Sequence, residues 1–77
     1  MDRATLTQLL NEAETVLYRG ELQLAHQREL IGTLQRSGRD PTLARLQLRR
    51  LESRQARHMA DRNRLFKQLA DQSRSHA

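Results

Sequence analysis

Apolar side chains recur alternately every four and every three residues along the first half of the chain. This spacing repeats every seven residues, which is the period of a helix that packs against another helix along one seam. The seam continues for about four heptads, and such regularity predicts an ordered helix rather than a disordered segment. Its positions are Leu6, Leu10, Ala13, Leu17, Gly20, Leu24, Gln27, Ile31 and Leu34.

The second half of the chain continues the same spacing with fewer apolar side chains. Its seam positions are Ala44, Leu48, Leu51, Gln55, His58, Arg62, Leu65 and Leu69, flanked by Met59 and Phe66. Between Glu52 and Arg64 the apolar residues are Ala56, Met59 and Ala60. This stretch is therefore predicted to bury little hydrophobic surface and to present a solvated or partner-facing surface.

A turn signal separates the two halves at residues 37–41. Gly38 suits the left-handed position that ends a helix, because it has no Cβ to clash. Asp40 can accept the free amide protons of a new first turn, and Pro41 suits the first helical position because its missing N–H would have no partner there. So short a connection forces two long helices to lie side by side and antiparallel.

These signals predict an all-α fold, an antiparallel two-helix hairpin of the coiled-coil type, in a single domain of residues 1–77. We expect helix 1 at about 5–37, the turn at 38–41, helix 2 at about 42–73 and a frayed tail at 74–77. Thr5 followed by Gln8 fits a capping box at the start of helix 1, and Asp2 is the alternative cap.

The turn also predicts which residues face each other, because the numbers of facing residues in a tight hairpin have a constant sum, here about 79. Large side chains then meet small ones, as a packed interface requires. The expected pairs are Leu10 with Leu69, Ala13 with Phe66, Gly20 with Met59, and Ile31 with Leu48. Gln27 is expected near Glu52 and Gln55, in a polar set that would fix the register at some cost in stability.

A second apolar row, made of Leu9, Val16 and Leu30, runs beside the seam of helix 1. So wide a stripe is typical of a helix with more than one neighbour, and it predicts a homodimer in which two hairpins form a four-helix bundle. The alternative is a monomer whose exposed leucines are ordinary surface residues. The predicted association seam is Leu9, Leu10, Ala13, Val16, Leu17, Gly20, Leu24, Leu30, Ile31, Leu34, Leu48, Leu51, Met59, Leu65, Phe66 and Leu69.

Composition narrows the class of protein. With 77 residues, 36% apolar side chains and only Tyr18 and Phe66 as aromatics, the chain fits the long-helix class and not the sheet classes. It has no cysteine, so disulfides and thiolate zinc sites are excluded. No apolar stretch approaches the roughly 18 residues of a membrane span, and we expect a soluble, cytoplasmic protein.

The net charge of +5 is uneven along the chain. Residues 1–38 hold four arginines and five acidic residues, a net of −1, whereas residues 39–77 hold nine arginines, Lys67 and four acidic residues, a net of +6. Such a basic helix can contact an acidic protein partner or a phosphate backbone. The alternative is a solvated face neutralised by ion pairs, with Glu21 and Glu29 in reach. The candidate contact residues are Arg45, Arg49, Arg50, Arg54, Arg57, Arg62 and Arg64.

No pattern in the sequence indicates catalysis. His26 and His58 are expected at similar heights on the two helices, but two histidines without a third ligand make a poor zinc site. Gly-rich phosphate loops, nucleophile elbows and paired-carboxylate motifs do not occur, and a two-helix hairpin has no deep pocket. We therefore predict no enzyme activity, no metal, no cofactor and no small-molecule substrate.

Part of the chain resembles a group of short, uncharacterised helical-hairpin proteins of proteobacteria. The resemblance runs from about Gly20 to Leu69 and includes the turn residues. It is carried by Gly20-Glu21, Gln27-Arg28-Glu29-Leu30-Ile31, Leu34, Gly38-Arg39-Asp40, Ala44, Leu48, residues 58–62 and Leu65. It implies the antiparallel hairpin and carries over no activity.

These features together predict a structural or protein-interaction module that acts through helix–helix association. In this interpretation the hairpin dimerises through helix 1 and offers the arginine-rich helix to an acidic protein partner. The alternative is sequence-nonspecific nucleic-acid binding through Arg45, Arg49, Arg54 and Arg57. No aromatic side chain is interleaved with these arginines for base stacking, and this favours the protein partner.

Overall fold

Two long helices lie side by side and run in opposite directions. The computed structural model describes residues 1–75, in which α1 spans Arg3–Arg36 and α2 spans Thr42–Ser75, each of 34 residues. The pair measures 60 × 16 × 15 Å. The predicted all-α hairpin is confirmed for this part of the chain.

Both helices extend further at their free ends than the sequence predicted. Asp2, and not Thr5, caps α1: the Asp2 side chain accepts the Thr5 backbone N–H at 2.7 Å, and the Asp2 carbonyl accepts that of Leu6 at 3.0 Å. α2 continues to Ser75, two residues beyond the expected end. Positions 76–77 of the expected frayed tail lie outside the described residues.

The C-terminus of α1 is closed by a Schellman motif. Gly38 takes the left-handed conformation, with φ of 71°, which the sequence indicated. The Gly38 N–H donates to the Gln35 carbonyl at 3.1 Å and the Arg39 N–H donates to the Leu34 carbonyl at 2.9 Å. Carbonyl groups that the helix end would leave unpaired are thereby satisfied.

The start of α2 is fixed by Asp40. Its Oδ1 accepts the Thr42 backbone N–H at 3.0 Å and the Thr42 hydroxyl at 2.6 Å. The first helical hydrogen bond then runs from the Arg45 N–H to the Pro41 carbonyl, at 2.9 Å. Pro41 therefore lies directly before α2 and is not its first residue.

The side chains between the helices follow the four–three spacing. Leu6, Leu10, Leu24 and Ala44 are the buried apolar residues, and Gln27 and Gln55 are buried polar ones. The other positions of the spacing are half-buried, namely Ala13, Leu17, Gly20, Ile31, Leu34, Leu48, Leu51, His58, Arg62, Leu65 and Leu69. Met59 and Phe66 are 44% and 60% exposed, so they lie outside the contact between the two helices.

The register differs from the predicted one by one helical turn. Gly20 faces Gln55 and not Met59, because a Cβ on Gly20 would overlap the Gln55 side-chain oxygen. Facing numbers therefore sum to 75 and not to about 79. The shift arises at the turn, where Pro41 is half-buried level with Leu34, so α2 joins the seam immediately.

On this register each seam position of α1 lies level with a buried or half-buried residue of α2 or of the turn. The pairs of residues that lie level are Leu6 with Leu69, Leu10 with Leu65, Ala13 with Arg62, Leu17 with His58, Gly20 with Gln55, Leu24 with Leu51, Gln27 with Leu48, Ile31 with Ala44, and Leu34 with Pro41. The expected pairs of Leu10 with Leu69, Ala13 with Phe66 and Ile31 with Leu48 are therefore wrong.

Two glutamines make separate polar contacts inside the seam. Gln27 Nε2 donates to the Ala44 carbonyl at 2.9 Å. Gln55 Nε2 donates to the Leu17 carbonyl at 2.9 Å and to Glu21 Oε1 at 3.0 Å. The expected single polar set around Gln27 is thus replaced by two contacts about one heptad apart.

Candidate interaction surfaces

Each long side of the hairpin is lined by one row of residues from each helix, and residues seven apart share a row. On one side Arg28 Nη2 of α1 lies 3.8 Å from Glu52 Oε2 of α2. We call this the Phe66 side. Its rows are Glu14, Glu21 and Arg28 on α1 and Arg45, Glu52, Met59 and Phe66 on α2.

On the opposite side, Val16 and Gln23 of α1 line the same surface depression as Arg54 of α2. We call this the arginine side. Its rows are Leu9, Val16, Gln23 and Leu30 on α1 and Gln47, Arg54, Asp61 and Gln68 on α2. Val16 is 38% and Leu30 43% exposed, whereas Leu9 is half-buried. The apolar row noted in the sequence therefore runs beside arginines of the other helix.

Four arginines converge near the middle of the arginine side. Arg50 and Arg57, four residues before and three after Arg54, share its face of α2. Arg19 is three residues after Val16 and so lies on the same side of α1. On the observed register the four lie within about 10 Å along the hairpin. Within residues 1–75 none of them forms an ion pair.

The seven arginines predicted as one basic surface divide among three places. The arginine side contains Arg50, Arg54, Arg57 and Arg64. The Phe66 side contains Arg45 and Arg49, and Arg62 lies in the seam. They divide because a helix turns about 100° per residue, so only residues three, four or seven apart share a face. Arg62 lies level with Ala13, and its Nε is buried without a hydrogen-bond partner among the described residues.

Acidic residues neutralise little of this charge within the described part of the chain. Glu21, which the sequence placed in reach of the arginines, accepts a hydrogen bond from Gln55 instead. Arg28 and Glu52 form the ion pair that crosses between the helices. Arg64 is paired with Asp61 on its own helix. The arginine side therefore keeps an excess of positive charge at mid-length.

Two open depressions run along the arginine side and share Gln23, Leu51 and Arg54. The larger has a volume of about 520 Å³ and the smaller about 180 Å³. Gly20 lines the smaller depression, where its missing side chain leaves room between the helices. The surface is a shallow groove of mixed polar and apolar lining, with Arg19 and Arg54 among its lining residues.

Three residues of these surfaces were not assigned correctly from the sequence. Arg19 was not grouped with the basic residues of α2, although its spacing of three from Val16 placed it beside the apolar row. Met59 and Phe66 were placed at the seam, although their spacing of seven from Glu52 put them in the same row as that charged residue. Spacing along a single helix therefore carried the signal for all three residues.

The two histidines do not come together. His58 lies level with Leu17, nine residues before His26 on α1, which separates the two by about 13 Å along the hairpin. In residues 1–75 no group of three metal-binding side chains occurs. Neither α1 nor the described length of α2 has an apolar stretch long enough to span a membrane.

Comparisons with models of protein families, with curated proteins and with solved structures gave no match to this chain. A proposal about function therefore rests on the exposed apolar and charged side chains along the two sides of the hairpin.

Proposed function

We propose that the protein is a non-catalytic interaction module that acts by helix–helix association, and that its arginine side binds an acidic helix of a partner protein. One observation carries this proposal: four arginines without ion pairs in the described chain cluster at mid-length beside a partly exposed apolar row. An excess of positive charge beside an apolar strip favours a partner of opposite charge with an apolar stripe of its own.

The apolar row supplies most of the expected affinity. Leu9, Val16 and Leu30 extend over 21 residues of α1, or about 32 Å, which accommodates a helix of about six turns. Completing the burial of a partly exposed valine or leucine contributes on the order of 1 kcal/mol. An arginine–carboxylate contact at the edge contributes about 0.2 to 1 kcal/mol, so the arginines chiefly determine which partner binds.

The test uses a synthetic amphipathic peptide with leucine at heptad spacing and glutamate at the flanking positions. We expect it to bind, whereas a peptide with lysine in place of glutamate does not. Arg54→Glu should weaken binding about 10-fold, because it replaces an attractive contact with a repulsive one at the centre of the groove. Calorimetric titration gives the dissociation constants.

Lys67→Glu is the matched control, because it makes the same change of charge at a residue that lies in neither side's rows. It should leave the affinity for the glutamate peptide within about 2-fold of wild type. Equal binding of the glutamate and lysine peptides, or equal effects of the two substitutions, would contradict the proposed acidic partner.

The same arginine cluster supports nucleic-acid binding as the second candidate function. Arg45 and Arg49 lie on the other side, so the arginines available to one phosphate backbone are Arg19, Arg50, Arg54 and Arg57. Four neutralised phosphates predict that log affinity falls with log salt at a slope of about −4. Fluorescence anisotropy with a labelled 20-base-pair DNA at low salt checks this, and absence of binding there removes the candidate.

A further inference from the structure

The Phe66 side carries opposite net charges at its two ends. Arg49 lies between Arg45 and Glu52 at spacings of four and three, so it belongs to this side. The half nearer the turn holds Arg28, Arg45, Arg49 and Glu52, a net of +2, and the open half holds Glu14, a net of −1, while Glu21 lies at mid-length between them. A surface polarised in this way is complementary to itself when one copy is reversed.

This side also has the apolar and small residues of a packing surface. Met59 and Phe66 are exposed, and so is Tyr18, which lies between Glu14 and Glu21 at spacings of four and three. Four of the adjoining positions on the same side are small, namely Ala25, Gly32, Ala56 and Ala70. Small side chains there let another helix pair approach closely.

We infer that a second copy of this chain packs on the Phe66 side, reversed end for end, about a two-fold axis that crosses the hairpin near mid-length. This inference shares one premise with the proposed function, namely that the hairpin acts by associating with other helices. With full overlap, Glu14 of each copy lies opposite Arg28 of the other. Phe66 of each copy lies near Arg45 of the other, in reach of a cation–π contact.

The charges exclude the two competing arrangements. Two copies packed on this side in the same direction would place like-charged halves together. Two copies packed through the arginine side would bring Arg19, Arg50, Arg54 and Arg57 of both together, because these residues cluster at mid-length, where the axis passes. The reversed dimer through the Phe66 side avoids both of these repulsions. The acidic residues that it brings near the axis are Glu21 and Glu52, and Glu52 is paired with Arg28 of its own copy.

The size of the surface matches that of a stable dimer. A face of 60 by 16 Å amounts to on the order of 1,000 Å², against about 800 Å² per partner in interfaces of standard size. The resulting assembly is a four-helix bundle that leaves the arginine side of each hairpin outermost. Both copies can then bind an acidic helix at the same time.

A charge swap tests the arrangement. Sedimentation equilibrium at low salt should give a dimer whose dissociation constant rises about 10-fold or more in Glu14→Arg and in Arg28→Glu. The double variant Glu14→Arg/Arg28→Glu should return to within about 3-fold of wild type, because the contact between copies is restored with reversed sign.

A second comparison uses two glutamates of the same row. Glu21 lies next to the proposed axis, where it meets Glu21 of the other copy, whereas Glu14 meets an arginine. Glu21→Gln should therefore tighten the dimer and Glu14→Gln should weaken it, each by about 3-fold. The amide oxygen introduced by Glu21→Gln can still accept the hydrogen bond from Gln55, so the hairpin itself is preserved.

Three results would overturn the inference: a strict monomer at high micromolar concentration, a dimer with no rescue by the charge swap, or a dimer that Val16→Glu abolishes while Glu14→Arg does not change it. The last result would place the contact on the apolar row of the arginine side. Binding of the glutamate peptide is measured separately on the same variants, so loss of the dimer and failure of the acidic-partner proposal are distinguishable.

Discussion

At the scale of single residues, the contact between Gly20 and Gln55 determines how closely the helices approach at mid-length. The Gln55 side chain is buried, and its Nε2 donates to Leu17 and Glu21. Its Oε1 is buried without a hydrogen-bond partner in the described chain and occupies the space that a Cβ of Gly20 would take. Glycine is required here for space, although it weakens a helix interior by roughly 0.5 to 1 kcal/mol.

Gly20→Ala should therefore destabilise the hairpin by about 1 kcal/mol. The gain in helix propensity is about 1 kcal/mol, but displacing the Gln55 amide forfeits two hydrogen bonds of about 1 kcal/mol each and leaves buried polar groups unpaired. Thermal unfolding followed by circular dichroism measures the change.

Gly32→Ala is the control for helix propensity. A Cβ at Gly32 would meet only the guanidinium of Arg36, at 3.3 Å, and that exposed side chain can move away. This variant should gain about 0.5 to 1 kcal/mol. If Gly20→Ala stabilised the protein as much as Gly32→Ala does, the close approach of Gln55 would be refuted.

At the scale of the helices, the ends are fixed by side chains that the sequence already indicated. Hydrogen bonds from the Thr42 hydroxyl and then from the Thr42 backbone N–H lower the pKa of Asp40 below its ordinary value of 3.8. Contacts with Thr5 lower the pKa of Asp2 in the same direction. A lowered carboxyl pKa stabilises the fold above the ordinary pKa, and this contribution is lost as the pH falls through the lowered value.

Asp40→Asn should consequently be less stable than wild type at pH 7, with a melting temperature lower by roughly 2 to 5 °C. The difference should shrink as the pH falls from about 4 to 2, because protonation removes the negative charge in wild type while the variant has none to lose. Parallel melting curves at pH 7, 4 and 2 provide the measurement. A difference that is constant over this range would show that the charge of Asp40 does not contribute.

The elements and the seam could be predicted from the sequence, and the register could not. Spacing of four and three is a local property of each helix, so Leu24 and Leu51 were recognised as facing inward. Register depends on the path of residues 37–41, where Pro41 packs level with Leu34 before α2 begins. An error of one turn left the seam positions unchanged but gave Gly20 and Ala13 the wrong partners.

The sequence likewise predicted only part of each candidate surface, because some of its features depend on one helix and others on both. The row of Leu9, Val16 and Leu30 follows from spacing on one helix. Its position beside Arg54 follows only when both helices are placed together. The separation of Arg45 from Arg54 follows from α2 alone, because nine residues at about 100° each place the two on opposite faces of the helix. Spacing along one helix decides which residues share a row. The tertiary structure decides which rows of the two helices lie side by side.

At the scale of the whole molecule, the hairpin has a thin core and two chemically different sides. Leu6, Leu10, Leu24 and Ala44 are its buried apolar residues within the described chain. A chain of this size with so small a core would gain stability from association. We propose the Phe66 side as the surface for a second copy and the arginine side as the surface for an acidic partner.

The hairpin and both of its proposed interaction surfaces require the chain to reverse direction at residues 37–41. Residues whose numbers sum to 75 then lie level with each other. Spin labels on Gln8 and Lys67, both exposed and level with each other, test this directly by electron–electron double resonance, with labelled protein diluted in unlabelled protein. The hairpin predicts a distance of roughly 20 to 30 Å between the labels. A distance of roughly 90 Å, as in one uninterrupted helix, would contradict it.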